Sequence, residues 1–196
     1  ETGFAFLMAA NHHSAMKHVA AVRKQIGTKT IFNLLGPLIN PAGTKLQLIG
    51  VYDRKWIVPI AQVLKNLGTQ RAWIVHGSDG LDEITITGPT YAVVLDKGTI
   101  TEKTLQPADF GLPVSDGNLL KGGDAEENAQ ALSDLLNGTE SPDRDIVLAK
   151  AAAVLCSHGT ARNLVEGAEK AAAAIDDGDA LATLNRYIRL THEGMA

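Results

Sequence analysis

The sequence predicts an α/β fold, a sheet with parallel core strands and an antiparallel extension, flanked by helices. Three observations predict it. A strand, a helix and a second strand follow one another over residues 46–75, the βαβ pattern that makes the two strands parallel neighbours. Three short β-rich runs come next, separated by turn residues, and read as antiparallel strands. From Asp124 onward the chain reads as helices rich in Ala and Leu.

In order, Gly3–Ala10 is short and apolar and reads as either a strand or the end of a helix. Ala15, Val19, Val22 and Ile26 then fall on one helical stripe, with Lys17, Ala21 and Lys24 opposite and Arg23 on the border. Gly27 stops that helix. Thr28 or Thr30 is the expected cap of a short helix through Leu35, which Gly36-Pro37 is expected to close. Leu46–Tyr52 reads as a buried strand with Gly50 near its end. Trp56–Leu67 has helical period, with Pro59 in the first turn, where proline is tolerated, and Gly68 after it. Ala72–Val75 is the second strand. Glu83–Thr87, Tyr91–Leu95 and Thr99–Leu105 are the antiparallel set. Pro107–Lys121 is irregular. Asp124 with Glu127 forms a capping box for a helix to Leu136. Ser141-Pro142 opens another to Ser157. Two more follow near 161–175 and 179–192, where the alanines and Gly167 predict close helix packing.

The chain has 196 residues, 20% charged and 45% hydrophobic, enough for one domain with a core. A net charge of −4 and a pI near 5.8 leave no electrostatic footprint for nucleic acid. No apolar run reaches a membrane span. Phe4–Ala10 is too short, and lacks the basic lead, to read as a signal peptide. The single cysteine, Cys156, excludes an internal disulfide, fits a reducing compartment and reads as a buried small residue in a helix.

Few residues carry chemistry by type and place. The loop HGSDGLDE follows the second strand, and open α/β sheets collect ligands beyond the carboxyl ends of their strands. Its Asp82 and Glu83 are either hard oxygen ligands suited to Mg²⁺ or a solvated acidic pair before a hairpin. His76 and Asp79 are candidate supports for them. Arg23 is either a two-pronged carboxylate clamp or a solvated helix-surface residue. His12, His13 and His18 lack cysteines or carboxylates on the same helix and do not read as a zinc site. Gly122-Gly123 suggests a phosphate-binding helix start, but the Asp124 charge would repel an anion, so these glycines read as structural.

HHSAMKHVAAVR followed by TIFNLLGPLINPA, then VHGSDGLDE at 75–83 and GGDAEENA at 122–129, resemble the anthranilate phosphoribosyltransferase family in that order. The resemblance implies transfer of the phosphoribosyl group of 5-phosphoribosyl 1-diphosphate to the amine of anthranilate. It implies Mg²⁺ on Asp82 and Glu83, the anthranilate carboxylate on Arg23, His13 lining the anthranilate tunnel, and Gly36 at the corner bordering its entrance. No catalytic base is implied, because the amine attacks a carbon already carrying developing positive charge. A cytoplasmic homodimer built through a small helical domain is also implied. Ser14 and Ala21 stand where the family often has proline, Lys29 where it often has arginine, and Lys150 where it often has asparagine.

The family's Gly-Thr-Gly-Gly-Asp loop and Lys-His-Gly-Asn motif do not occur in this sequence. The expectation is therefore a single α/β domain over residues 1–196, the C-terminal part of a larger enzyme of nucleoside phosphorylase/phosphoribosyltransferase type, inactive or nearly so alone. A non-catalytic binding or scaffold domain and a related nucleoside phosphorylase are the alternatives. Retention of both Arg23 and the acidic doublet argues against the first. TIFNLLGPLINPA and HGSDGLDE argue against the second.

Overall fold

The computed structural model describes residues 2–7, 12, 25, 27–28 and 30–193. The helix expected along the stripe from Ala15 to Ile26 lies outside the described residues apart from Gln25, and so do Arg23, His13 and His18. The chain divides into two compact units, residues 1–44 and 45–196, each taken by itself below.

In the first unit, residues 3–7 are neither helix nor strand. Helix α1, Phe32–Leu38, differs from expectation at both ends. Its N-cap is Ile31, without a side-chain cap; instead the Asn33 side chain reaches back and accepts from the Thr30 N–H at 2.9 Å. Gly36-Pro37 does not close it, since Pro37 lies inside. A proline disfavours helix at the preceding residue partly through that residue's Cβ, and Gly36 has none. The stop comes at Asn40-Pro41, where Asn40 Oδ1 accepts from the Ala42 N–H at 2.9 Å.

The second unit is built on a four-stranded sheet in the order β1-β2-β3-β4. β1 (Leu46–Gly50) pairs parallel with β2 (Arg71–Gly77), register Leu46↔Arg71 to Gly50↔Val75. The crossover is a single turn of 3₁₀ helix, Arg54–Trp56, and helix α2, Ile57–Asn66. β3 (Thr90–Asp96) and β4 (Thr99–Leu105) complete an antiparallel extension. Lys97 and Gly98 both have positive φ at the β3–β4 turn, the two-residue geometry that matches strand twist.

Four consecutive residues of β2, Ala72–Val75, are buried, as in a strand covered on both faces. Trp73 and Val75 join the core formed with Leu148, Ala149, Ala152 and Ala153. Ala72 and Ile74 point the other way by strand alternation, toward the side packed by α2. That face of α2 carries Ile57, Ile60, Ala61 and Leu64.

Glu83–Thr87 is not a strand. Its alternating pattern is real, since Ile84 and Ile86 are fully buried. The Thr85 N–H, however, donates to the Thr90 hydroxyl at 3.0 Å, and the Thr87 N–H to the Thr85 hydroxyl at 3.0 Å. Side chains take the donors that a ladder would have used.

Helices α3 (Ala125–Leu136), α4 (Pro142–His158), α5 (Leu164–Asp176) and α6 (Asp179–Glu193) follow. Asp124 and Glu127 form the expected capping box, and a Cβ on Gly123 would run into the Glu127 carboxylate. The Gly-Gly pair is therefore structural. Ser141 caps α4 and Asn163 caps α5. A Cβ on Gly167 would come within 2.8 Å of Ala152 Cα, so α4 and α5 touch backbone to backbone there. The Arg144 guanidinium, buried on α4, donates both arms to Asp176 at the end of α5, at 2.8 and 2.9 Å. Cys156 is half-buried, and burial first, then the Glu166 charge, pushes its thiol up. No described helix is long and apolar enough to cross a membrane.

Candidate functional site

The loop 78–89 leaves the carboxyl end of β2, beside the carboxyl end of its parallel neighbour β1. That adjacency is where a sheet of this kind exposes backbone groups to a ligand. Gly80 has φ 91°, which closes the turn, and the Gly77 N–H donates to Leu81 O at 2.8 Å.

Asp79 is the hub of the loop. Its Oδ1 accepts from the Leu81 N–H at 3.1 Å. Its Oδ2 accepts from the Thr85 hydroxyl at 2.5 Å and the Thr87 hydroxyl at 2.8 Å. Partial burial opposes ionisation of Asp79. The Thr85 and Thr87 hydroxyls, with the Leu81 N–H, outweigh it and hold the carboxyl below its ordinary range. An ionised Asp79 therefore ties both ends of the 79–87 loop together, with Asp82 and Glu83 between them.

Two further contacts seat the doublet. A Cβ on Gly50 would run into the Asp82 carbonyl, so the loop backbone lies directly over the end of β1. His76 Nδ1 lies 2.8 Å from Val51 O. A carbonyl only accepts, so Nδ1 carries the proton there, and the segment after β1 is clasped to β2. Arg54, further along that segment, stacks its guanidinium 3.7 Å above the Tyr91 ring.

Asp82 is exposed, and its carboxylate has no hydrogen-bond or ion-pair partner among the described residues. Glu83 is half-exposed and its Oε2 lies 3.3 Å from Lys150 Nζ, on α4. Among the described residues no three His, Cys, Asp or Glu gather to hold a metal. Asp82 and Glu83 are two hard oxygen donors side by side in the loop. That donor set fits Mg²⁺, which keeps waters and takes phosphate oxygens, and does not fit zinc. Glu83 already attracts a cation in the form of the Lys150 ammonium.

The structure brings together Asp82, Glu83, Gly50 and Lys150, while Asp79 gathers the loop around them and His76 bonds to Val51. Gly36 belongs to the first unit, and a Cβ there would meet nothing within 4 Å. Arg23 and His13 lie outside the described residues. Reading the letters alone does not find the Thr85–Thr87 pair or the role of Gly50. The signal for the first is present: an Asp-Gly turn followed by alternating threonines and isoleucines. An open cleft of about 810 Å³, bordered by Lys65, Arg71, Lys97 and His158, lies at the opposite end of the strands and contains none of these residues.

A family model described as "Glycosyl transferase family, a/b domain" matches residues 1–181. The chain belongs to this family. Within this glycosyl transferase family it is 53% identical over 190 residues to the anthranilate phosphoribosyltransferase of Rhodospirillum rubrum, covering 97% of this chain and 55% of that relative. The crystal structure of anthranilate phosphoribosyltransferase from Thermus thermophilus is similar with a TM-score of 0.88 and 40% identity, over 96% of this chain and 56% of that one. The Saccharomyces cerevisiae anthranilate phosphoribosyltransferase in complex with PRPP and Mg is similar at TM-score 0.82 and 30% identity, over 90% of this chain and 51% of that one. The same yeast enzyme in complex with 4-fluoroanthranilate gives 0.83 and 30%, over 90% and 52%. This glycosyl transferase chain therefore spans about half the length of the curated relatives it matches.

Proposed function

We propose that the protein carrying this chain transfers the phosphoribosyl group of 5-phosphoribosyl 1-diphosphate to the amine of anthranilate, in tryptophan biosynthesis. The observation that carries the reading is the acidic doublet Asp82-Glu83. It is fixed by Asp79 over the glycine end of β1, on a chain half-identical to anthranilate phosphoribosyltransferases.

In this reading the amine nitrogen bonds to ribose C1 while the C1–O bond to diphosphate breaks. The bonding pair leaves with the diphosphate oxygen, and the amine proton passes to solvent. Mg²⁺ would supply neutralisation of the charge that grows on the leaving diphosphate. Asp82 and Glu83 would hold it through carboxylate oxygens. Asp79 and Gly50 set the loop backbone that carries those carboxylates. Arg23 grips the anthranilate carboxylate with both arms of its fork and aims the amine, His13 lines the passage, and Gly36 shapes its mouth. What supports these last three roles is the resemblance of HHSAMKHVAAVR and TIFNLLGPLINPA. The same resemblance supports a cytoplasmic homodimer for the whole enzyme.

Calorimetric titration tests the reading. The chain is expected to bind Mg²⁺ through Asp82 and Glu83, with D82N and E83Q abolishing it. R23A is expected to abolish anthranilate binding and leave Mg²⁺ binding intact. Retention of both ligands by these variants sinks the assignment. A turnover assay on the 196-residue chain is expected to give no product or nearly none, because the glycine-rich diphosphate loop is not in its sequence. Robust product formation would refute that part.

A further inference from the structure

We propose that Lys150 is a built-in competitor of the metal: its ammonium holds Glu83 when no divalent cation is present and must give up that carboxylate for the ion to bind. The proposal rests on the reading of Asp82 and Glu83 as metal ligands.

Lys150 comes from α4 and Glu83 from the loop after β2, so the pair joins two elements far apart in the chain. The Nζ–Oε2 distance is 3.3 Å, with the lysine side chain 33% and the glutamate side chain 45% exposed. Both groups are thus wet enough to exchange partners. Leu148, Ala149, Ala152 and Ala153 are buried and anchor the helix in the core, so the backbone of Lys150 is fixed. Only its flexible four-carbon stem is free to move. Asp82 has no hydrogen-bond or ion-pair partner among the described residues, so the doublet's cation-seeking charge is unequally satisfied, Glu83 with a lysine and Asp82 without.

Two cations contesting one carboxylate repel each other and divide its attraction. Lys150 therefore weakens divalent binding to the bare site. It also leaves a primary ammonium beside the metal once displaced, free to meet a polyanionic substrate.

The test is Mn²⁺ titration of the 196-residue chain, followed by the loss of the free-ion electron paramagnetic resonance signal. K150M is expected to bind Mn²⁺ about tenfold more tightly than the unaltered chain, and K150R, which keeps the charge, to bind as the unaltered chain does. An unchanged or weaker affinity in K150M overturns the inference. D82N and E83Q are run beside it: if they leave binding unchanged, the metal reading itself has failed. If they abolish binding while K150M is neutral, only the role of Lys150 has failed.

Discussion

Gly50 ends β1 with no room for a Cβ against the Asp82 carbonyl. Gly50→Ala is expected to push that peptide away, with about 1–3 kcal/mol lost in urea unfolding and Mn²⁺ affinity lowered at least tenfold. A variant that kept both stability and affinity would show the contact to be loose. Asp79 has a carboxyl held below its ordinary range by the Thr85 and Thr87 hydroxyls and the Leu81 N–H. A depressed folded-state pKa stabilises the fold above the unfolded value, near 3.8. That contribution disappears as pH falls through the folded-state value. Asp79→Asn is therefore expected to lower stability at pH 7 and to flatten its acid limb below about pH 4, measured by thermal unfolding across pH. The Asp-Gly turn is legible as a turn from its letters. The threonine hydroxyls are not legible as its partners, because which donor an aspartate finds depends on how the loop folds back.

Among the elements, the helices opened by Asp124 and Ser141 are legible nearly to the residue, whereas the helix capped by Asn163 starts at Leu164 and not near 161. Asp124, Ser141 and a glycine or Asn-Gly stop are local instructions, satisfied by the backbone within one turn. Expectation and structure part where a local rule meets a wider constraint. The letters make Pro37 a stop, but the helix passes through it, and Gly36, which has no Cβ, lightens the steric objection. Residues 83–87 have strand alternation but no ladder, since Asp79 and Thr90 claim the threonines. The α4–α5 pair stands on the Gly167 approach and the Arg144–Asp176 fork. Gly167→Val is expected to cost about 1–3 kcal/mol by forcing the helices apart. Asp176→Ala is expected to lower the urea midpoint by less than that, because water screens its half-exposed carboxylate. Both are read by urea unfolding. Glu166, in the first turn of α5, is held down to about 2 by Arg162 first and Lys170 after it. Its contribution is present above about pH 4.5 and is lost as pH falls toward 2; Glu166→Gln is expected to remove that part of the acid transition.

For the molecule as a whole, metal binding and folding are linked. A ligand that binds only the folded chain stabilises it by about 2.7 kcal/mol at a hundred times its dissociation constant. The unfolding temperature is therefore expected to rise with Mg²⁺ in the unaltered chain and to stay flat in D82N. A rise of equal size in D82N would mean the ion binds elsewhere. The letters alone suffice for the fold class, the parallel β1–β2 pair, the antiparallel hairpin and most helix boundaries. All of these follow from periodicity, caps and turn residues that act over a few positions. The same letters put Asp82 and Glu83 in a loop beyond the end of a strand. Three contacts needed the folded chain: Gly50 under Asp82, Asp79 gathering Thr85 and Thr87, and Lys150 reaching Glu83 from α4. They join residues 6 to 67 positions apart. No pattern in the letters fixes such a meeting, because it depends on where the packed core sets one backbone against another.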